Sequence, residues 1–178
     1  MYWKKVLATK KNLKPTYRKF IILGRSRTGS NFIMSLLKSH SNIKIFGEIF
    51  NKDIQTKDNW KSISHSPVRY LEKKVFQEYE SSILAVGFKM FYYHAQDYEN
   101  TIWQYLKNEK VQIIHIKRKN ILKTIVSREL AIKTKQWTLT NEEEKKETKI
   151  HLSYQKCLNE FKRTKKNEKK YDFFFKNN

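Results

Sequence analysis

The sequence predicts an α/β protein with a central parallel sheet of about four strands flanked by helices, from three observations. Phe20-Ile21-Ile22-Leu23 is a short continuous apolar run that stops at Gly24, as a strand covered on both faces requires. Ser30 to Lys38 then carries Phe32, Ile33, Leu36 and Leu37 on one helical face, with Ser30 or Asn31 suited to its start. The same alternation recurs down the chain, and strands separated by helices pair in parallel.

Taken in order, Ile43 to Phe46 predicts the second strand, and Gly47-Glu48 opens a polar stretch with little periodicity through about Ser64. Pro67 fits the first turn of a helix to about Tyr79, with Val68, Leu71, Val75 and Phe76 as its apolar positions. Ile83 to Phe88 is the third strand, with Lys89 at its end, and Asp97 to Leu106 reads as a helix. Val111 to Ile116 is the fourth strand and meets the basic run Lys117-Arg118-Lys119. Asn120 caps a helix through about Ile132, with Ile121, Leu122, Ile125 and Val126 inward. Residues 141–178 form a Lys/Glu-rich helical region with a thin stripe of Ile150, Leu152, Tyr154, Leu158 and Phe161. The ending YDFFFKNN is too apolar for a solvated tail, so it either packs on the domain or marks a truncated chain. All 178 residues read as one domain, with a core over 18–135.

A single Cys, Cys157, has no internal partner for a disulfide, and Lys interrupts the N-terminal stretch too often for a signal peptide. No segment reaches the apolar length of a membrane span, so the expectation is a soluble, cytoplasmic protein. The net charge of +21 invites nucleic acid as a partner, but 31 of the 38 basic residues are Lys, the pattern of a solvated face. The seven arginines are more informative, because a guanidinium fork matches phosphate oxygens as an ammonium cannot. Four of them, Arg25, Arg27, Arg118 and Arg128, fall in two short segments.

The first segment, Gly24-Arg25-Ser26-Arg27-Thr28-Gly29-Ser30-Asn31, lies between a predicted strand and a predicted helix and has GxxxxG spacing. Gly29 frees the backbone to close around an anion, and the helix start presents its amides and positive dipole end to it. A nucleotide-hydrolysing loop would follow with Lys and Ser or Thr, whereas Ser30 and Asn31 stand here, so a nucleotide kinase is disfavoured. The cation must come from Arg25 or Arg27. An ordinary βα turn with surface arginines is the plain alternative.

FIILGRSRTGSNFIMSLL resembles the 5′-phosphosulfate loop of sulfotransferases that use 3′-phosphoadenosine 5′-phosphosulfate (PAPS), most of all the bacterial trehalose and glycolipid enzymes. The resemblance covers about 18–135 and implies a P-loop-like three-layer sandwich and no metal. It implies that Arg27 takes the place of the loop's Lys or Arg, and that Arg25, Ser26, Thr28, Gly29, Ser30 and Asn31 complete the PAPS-binding loop. IIHIKRKNILKTIVSRELA is similar to the family's 3′-phosphate segment, a strand-end Arg with a helical Ser two turns on. Arg118 and Ser127 match that pair, while the common spacing points to Lys119 in the Arg position. The family's later Tyr-Glu-x-Leu-like segment is not found, so a fragment, a minimal form or a degenerate relative are all compatible with the sequence.

Sulfuryl transfer asks for positioning, charge stabilisation and a base for the acceptor hydroxyl. Glu48 resembles the proposed base of the trehalose-type enzymes, Lys89 resembles the lysine that contacts the transferred group, and His94 is the reserve base. Glu48 can equally be an exposed loop carboxylate, and Lys89 a lysine that snorkels to the surface. The expected acceptor is a hydroxyl-bearing small molecule, a carbohydrate or a glycolipid. A binding module for nucleic acid or another polyanion, or contact with an anionic surface, is the alternative from a different class.

Overall fold

The computed structural model describes residues 16–94, 98, 101–138 and 148–176. Strands β1 (Arg18–Gly24), β2 (Ile43–Glu48), β3 (Ala85–Phe91) and β4 (Gln112–His115) form one sheet in the order β2-β3-β1-β4, with every pair parallel. The α/β class and the four parallel strands follow the sequence expectation. Between them run α1 (Ser30–Lys38), a 3₁₀ turn (Lys52–Ile54), α2 (Lys57–His65), α3 (Pro67–Tyr70) continuing into a π turn (Leu71–Val75), and α4 (Thr101–Asn108). After β4 come α5 (Ile121–Thr134) and α6 (Tyr154–Phe174). Among the described residues no helix is long and apolar enough to cross a membrane.

Side chains alternate across a strand, so each central strand serves two faces. Ile21 and Leu23 of β1 and Val86, Phe88 and Met90 of β3 are buried with Leu71, Val75, Ile102, Trp103 and Leu106 in the main core. The opposite set of β3 is Gly87, Lys89 and Phe91. Phe20 pairs with Gly87, and a Cβ there would stand 2.5 Å from the Phe20 carbonyl oxygen and 2.6 Å from its ring. Glycine is therefore required at 87 for steric reasons. Beyond it the face turns polar at Lys89, at the strands' carboxyl ends.

The β1–β2 connection leaves in one direction and the β3–β4 connection in the other, although β1 and β3 are neighbours. Their carboxyl ends therefore flank a crevice where open parallel sheets place ligands.

Several elements depart from their predicted extents. The stretch around residues 57–65 forms α2, because Thr56 accepts from the Asn59 amide at 3.3 Å and one fully buried residue, Ile63, anchors the helix. That single anchor gives no readable period. The helix from Pro67 stops at Phe76, where Tyr17 and Tyr79 hydroxyls donate to the carbonyls of Gln77 and Val75, both at 2.9 Å. Helix α1 does not bury its expected face: Phe32 is 66% and Leu36 53% exposed. The stripe expected on α6 is also displaced, since Tyr154 is exposed and Thr164, Glu168 and Tyr171 are its buried residues. The aromatic ending does pack on the domain: Tyr171 stacks on Tyr92 at 5.3 Å and lies 4.4 Å from Trp103, while Phe173 stays exposed. Part of the helix predicted from Asp97, and residues 141–147 of the Lys/Glu-rich region, lie outside the described residues.

Candidate active site

The loop between β1 and α1 is held open by its backbone. Arg27 has φ 67° and Gly29 φ 93°, both in the left-handed region, and Gly29 is the N-cap of α1. The first helical bond runs from the Ile33 amide to the Gly29 carbonyl at 3.2 Å. The amides of Ser30, Asn31 and Phe32 therefore have no helical carbonyl to reach and present the positive end of α1 to the crevice. Thr28 braces the turn by donating to the Arg25 carbonyl at 2.9 Å. At its start, a Cβ on Gly24 would lie 2.8 Å from the Ile116 carbonyl oxygen, so glycine lets β1 and the end of β4 come together.

The loop's two arginines diverge. Arg25 is buried, donates to Thr164 Oγ1 and pairs with Glu160 Oε2 at 2.9 Å, both on α6. Burial lowers its pKa, against the attraction of Glu160. Arg27 donates through Nε to Ser127 Oγ of α5 at 2.8 Å and through Nη1 to the Trp137 carbonyl. Arg118 donates to the Arg27 carbonyl at 3.1 Å. Burial, and then the neighbouring Arg118, lower the Arg27 pKa. Among the described residues neither Arg27 nor Arg118 has a carboxylate within ion-pair distance, unlike Arg25. Two adjacent guanidiniums without a counter-charge make a corner that an anion would stabilise.

A second cluster forms at the ends of β2 and β3. The pairing of these strands shifts by one residue after Phe46↔Phe88, so that Glu48 rather than Gly47 lies opposite Lys89. Side chains alternate, so without the shift Glu48 would share the face of Met90; the extra residue puts it on the face of Lys89. Lys89, buried inside β3 rather than at its end, pairs with Glu48 Oε1 at 2.8 Å and donates to Asn31 Oδ1 of α1. Asn51 donates to Glu48 Oε2 at 2.7 Å. His94, buried behind them, accepts from the Phe91 amide at Nδ1 (3.2 Å) and points Nε2 toward Glu48 Oε2 at 3.7 Å. Burial is the main reason its pKa falls to about 4, with Glu48 and Lys89 acting in opposite senses.

Both clusters border one cleft of about 850 Å³, lined by Arg27, Gly29 and Asn31 of the loop, Glu48 of β2, and Arg118 and Ser127 from the β4–α5 region. A more apolar cleft of about 520 Å³ along α5, walled by Leu122, Val126 and Trp137, shares Arg27, Arg118 and Ser127 with it. Residues separated by up to about a hundred positions thus meet, as Arg27 and Ser127 do. Ser26 and Ser30 line the larger cleft, Lys119 lines neither, and Arg25 is committed to α6. Tyr93, Asn51, Arg128 and Trp137 also line the larger cleft. Of these only Arg128 carried a sequence signal, as one of the clustered arginines; Trp137 carried none.

Comparison with protein-family models, curated proteins and solved structures finds no match for this chain. The functional reading therefore rests on the motifs and the geometry of the cleft.

Proposed function

We propose that this chain is a PAPS-dependent sulfotransferase that moves a sulfuryl group onto a hydroxyl of a carbohydrate or glycolipid acceptor. The observation that supports this reading best is the Arg27–Ser127–Arg118 corner, where two motifs remote in sequence meet with no balancing carboxylate among the described residues. The donor set fits a phosphorylated nucleotide: guanidiniums and a hydroxyl converge, a helix start faces them, and a more apolar cleft adjoins. The finer fold reading, a P-loop-like three-layer sandwich, belongs to the same proposal.

PAPS, when bound, supplies a sulfuryl group on a phosphate leaving group. In this reading Arg27 and the amides around Gly29 and Ser30 hold the 5′-phosphosulfate, and Arg118 with Ser127 holds the 3′-phosphate. Lys89 stabilises charge on the transferred group, and Glu48 takes the proton of the acceptor hydroxyl. Asn31 orients Lys89.

Calorimetric titration with 3′-phosphoadenosine 5′-phosphate, AMP and ATP tests the reading. The expected result is binding that needs the 3′-phosphate and falls in Arg27→Ala and Arg118→Ala. Equal affinity for AMP, or indifference to both substitutions, would overturn it and leave the basic surface as a polyanion site.

A further inference from the structure

His94 lies three residues past the end of β3, in a position that the reading above does not use. Its side chain is 3% exposed, and its buried Nε2 has no hydrogen-bond partner among the described residues. An unmet polar atom in such a place costs stability unless a partner arrives during function. The groups facing it are the Glu48 carboxylate at the end of β2 and the Lys89 ammonium of β3, while the rings of Phe91 and Tyr93 pack at 5.0 and 4.8 Å.

The tautomer follows from the backbone. The Phe91 amide donates to Nδ1, so Nδ1 is the acceptor and the ring hydrogen sits on Nε2. Nε2 then offers a hydrogen toward Glu48 Oε2, 3.7 Å away, one short closure from a hydrogen bond. A nitrogen that already carries its hydrogen has no lone pair with which to take a proton from a substrate. Glu48, by contrast, has its Oε1 held by Lys89, the same lysine that a sulfuryl group would engage.

We propose that His94 is a positioning residue, a neutral hydrogen-bond donor that closes onto Glu48 and holds its carboxylate in place when an anionic substrate draws Lys89 away. His94 is therefore not the base. This rests on the reading of Glu48 as the acceptor's base, but the link between the two side chains is measurable without turnover.

The first arm is ¹⁵N NMR of histidine-labelled protein. His94 is expected as the neutral Nε2–H tautomer down to pH 5.5. Glu48→Gln, which removes the neighbouring negative charge, moves its titration further down, and Lys89→Met moves it up. A Nδ1–H tautomer, a charged ring at pH 6, or no response to Glu48→Gln overturns the proposal whether or not the protein transfers sulfate. The second arm is kinetic. His94→Gln keeps an N–H donor and retains kcat within about tenfold with the acidic limb of its pH profile in place, whereas His94→Phe loses roughly 10- to 100-fold in kcat with KM for PAPS little changed. Loss of the acidic limb in His94→Gln would make His94 the base and overturn the assignment. A wild-type protein with the expected NMR behaviour that binds no PAPS would refute sulfuryl transfer while leaving the His94–Glu48 link standing.

Discussion

Arg25 and Arg27 leave the same loop two positions apart, yet Arg25 ends on Thr164 and Glu160 of α6, while Arg27 ends on Ser127 beside Arg118. The first guanidinium has its charge balanced inside the chain, and Glu160 in turn feels it: burial pushes that carboxyl up, but Arg163, Arg25 and Arg128 together hold it below its usual range. The second meets another cation and, among the described residues, no carboxylate. The Lys89–Glu48 pair belongs with Arg25 in this respect, although Glu48 lines the cleft. The comparison separates cations balanced by a carboxylate from cations with none among the described residues, and substitution tests whether the two kinds play different parts.

The largest effect is expected at Lys89. Lys89→Met leaves Glu48, only partly exposed, without its cation, and breaking such a pair on one side costs about 3 kcal/mol or more. Urea denaturation should show the loss, and the Glu48→Gln/Lys89→Met double variant should recover part of it. A single variant as stable as the wild type would mean that Lys89 is not charge-balanced in solution.

Arg25→Ala comes next, at about 2 to 3 kcal/mol, because Glu160 keeps Arg163 at 2.6 Å after the loss. A double-mutant cycle with Glu160→Ala should give a coupling energy of about 1 kcal/mol or more. An additive cycle would detach Arg25 from α6 and place both loop arginines in one class.

That division was not legible in the sequence, for a physical reason. Arg25 and Arg27 share a motif and a composition; what separates them is α6, whose contacts with the loop span 135 and 139 positions. The strands were readable because continuous apolar runs such as Phe20 to Leu23 must be covered on both faces. Asn120 was readable as a cap because it accepts from the Lys123 amide, a local bond at 2.9 Å. Helix α2, with one buried residue, was not, and neither was the register shift at Gly47 that turns Glu48 toward Lys89. A shift of register belongs to two strands at once and leaves no period in either. Motif spacing brought Arg27, Arg118 and Ser127 forward, but only the fold brings Arg118 rather than Lys119 against the loop.

His94 supplies the third prediction. Its folded pKa of about 4 lies below the ordinary 6.5, so the unfolded chain binds more protons between those values and stability rises with pH through that window. As pH falls from 6.5 toward 4 the contribution is lost, by about 1 to 2 kcal/mol at pH 5. Denaturant titrations from pH 4.5 to 7.5 should show a shallower dependence in His94→Gln than in the wild type. Parallel curves would place His94 in water or give it a charge, and either would remove it from the balanced cluster.

Arg27→Ala should have the smallest effect on folding and sharpens the comparison most. Ala gives up the bonds to Ser127 and to the Trp137 carbonyl, but it also relieves the contact with the Arg118 charge, so the net change should stay within about 0.5 kcal/mol. Affinity for 3′-phosphoadenosine 5′-phosphate should fall by about 10- to 100-fold in the same variant, as expected when a charge-assisted bond to phosphate is removed. Thermal melts with and without nucleotide read both quantities: the ligand-free transitions should coincide, and only the wild type should shift upward on adding nucleotide at a concentration between the two dissociation constants. If Arg27→Ala melts as far below the wild type as Arg25→Ala does, the Arg27–Ser127–Arg118 corner is part of the scaffold. The unbalanced charge there would then have to be met by solvent or by some other part of the chain rather than by an anionic substrate.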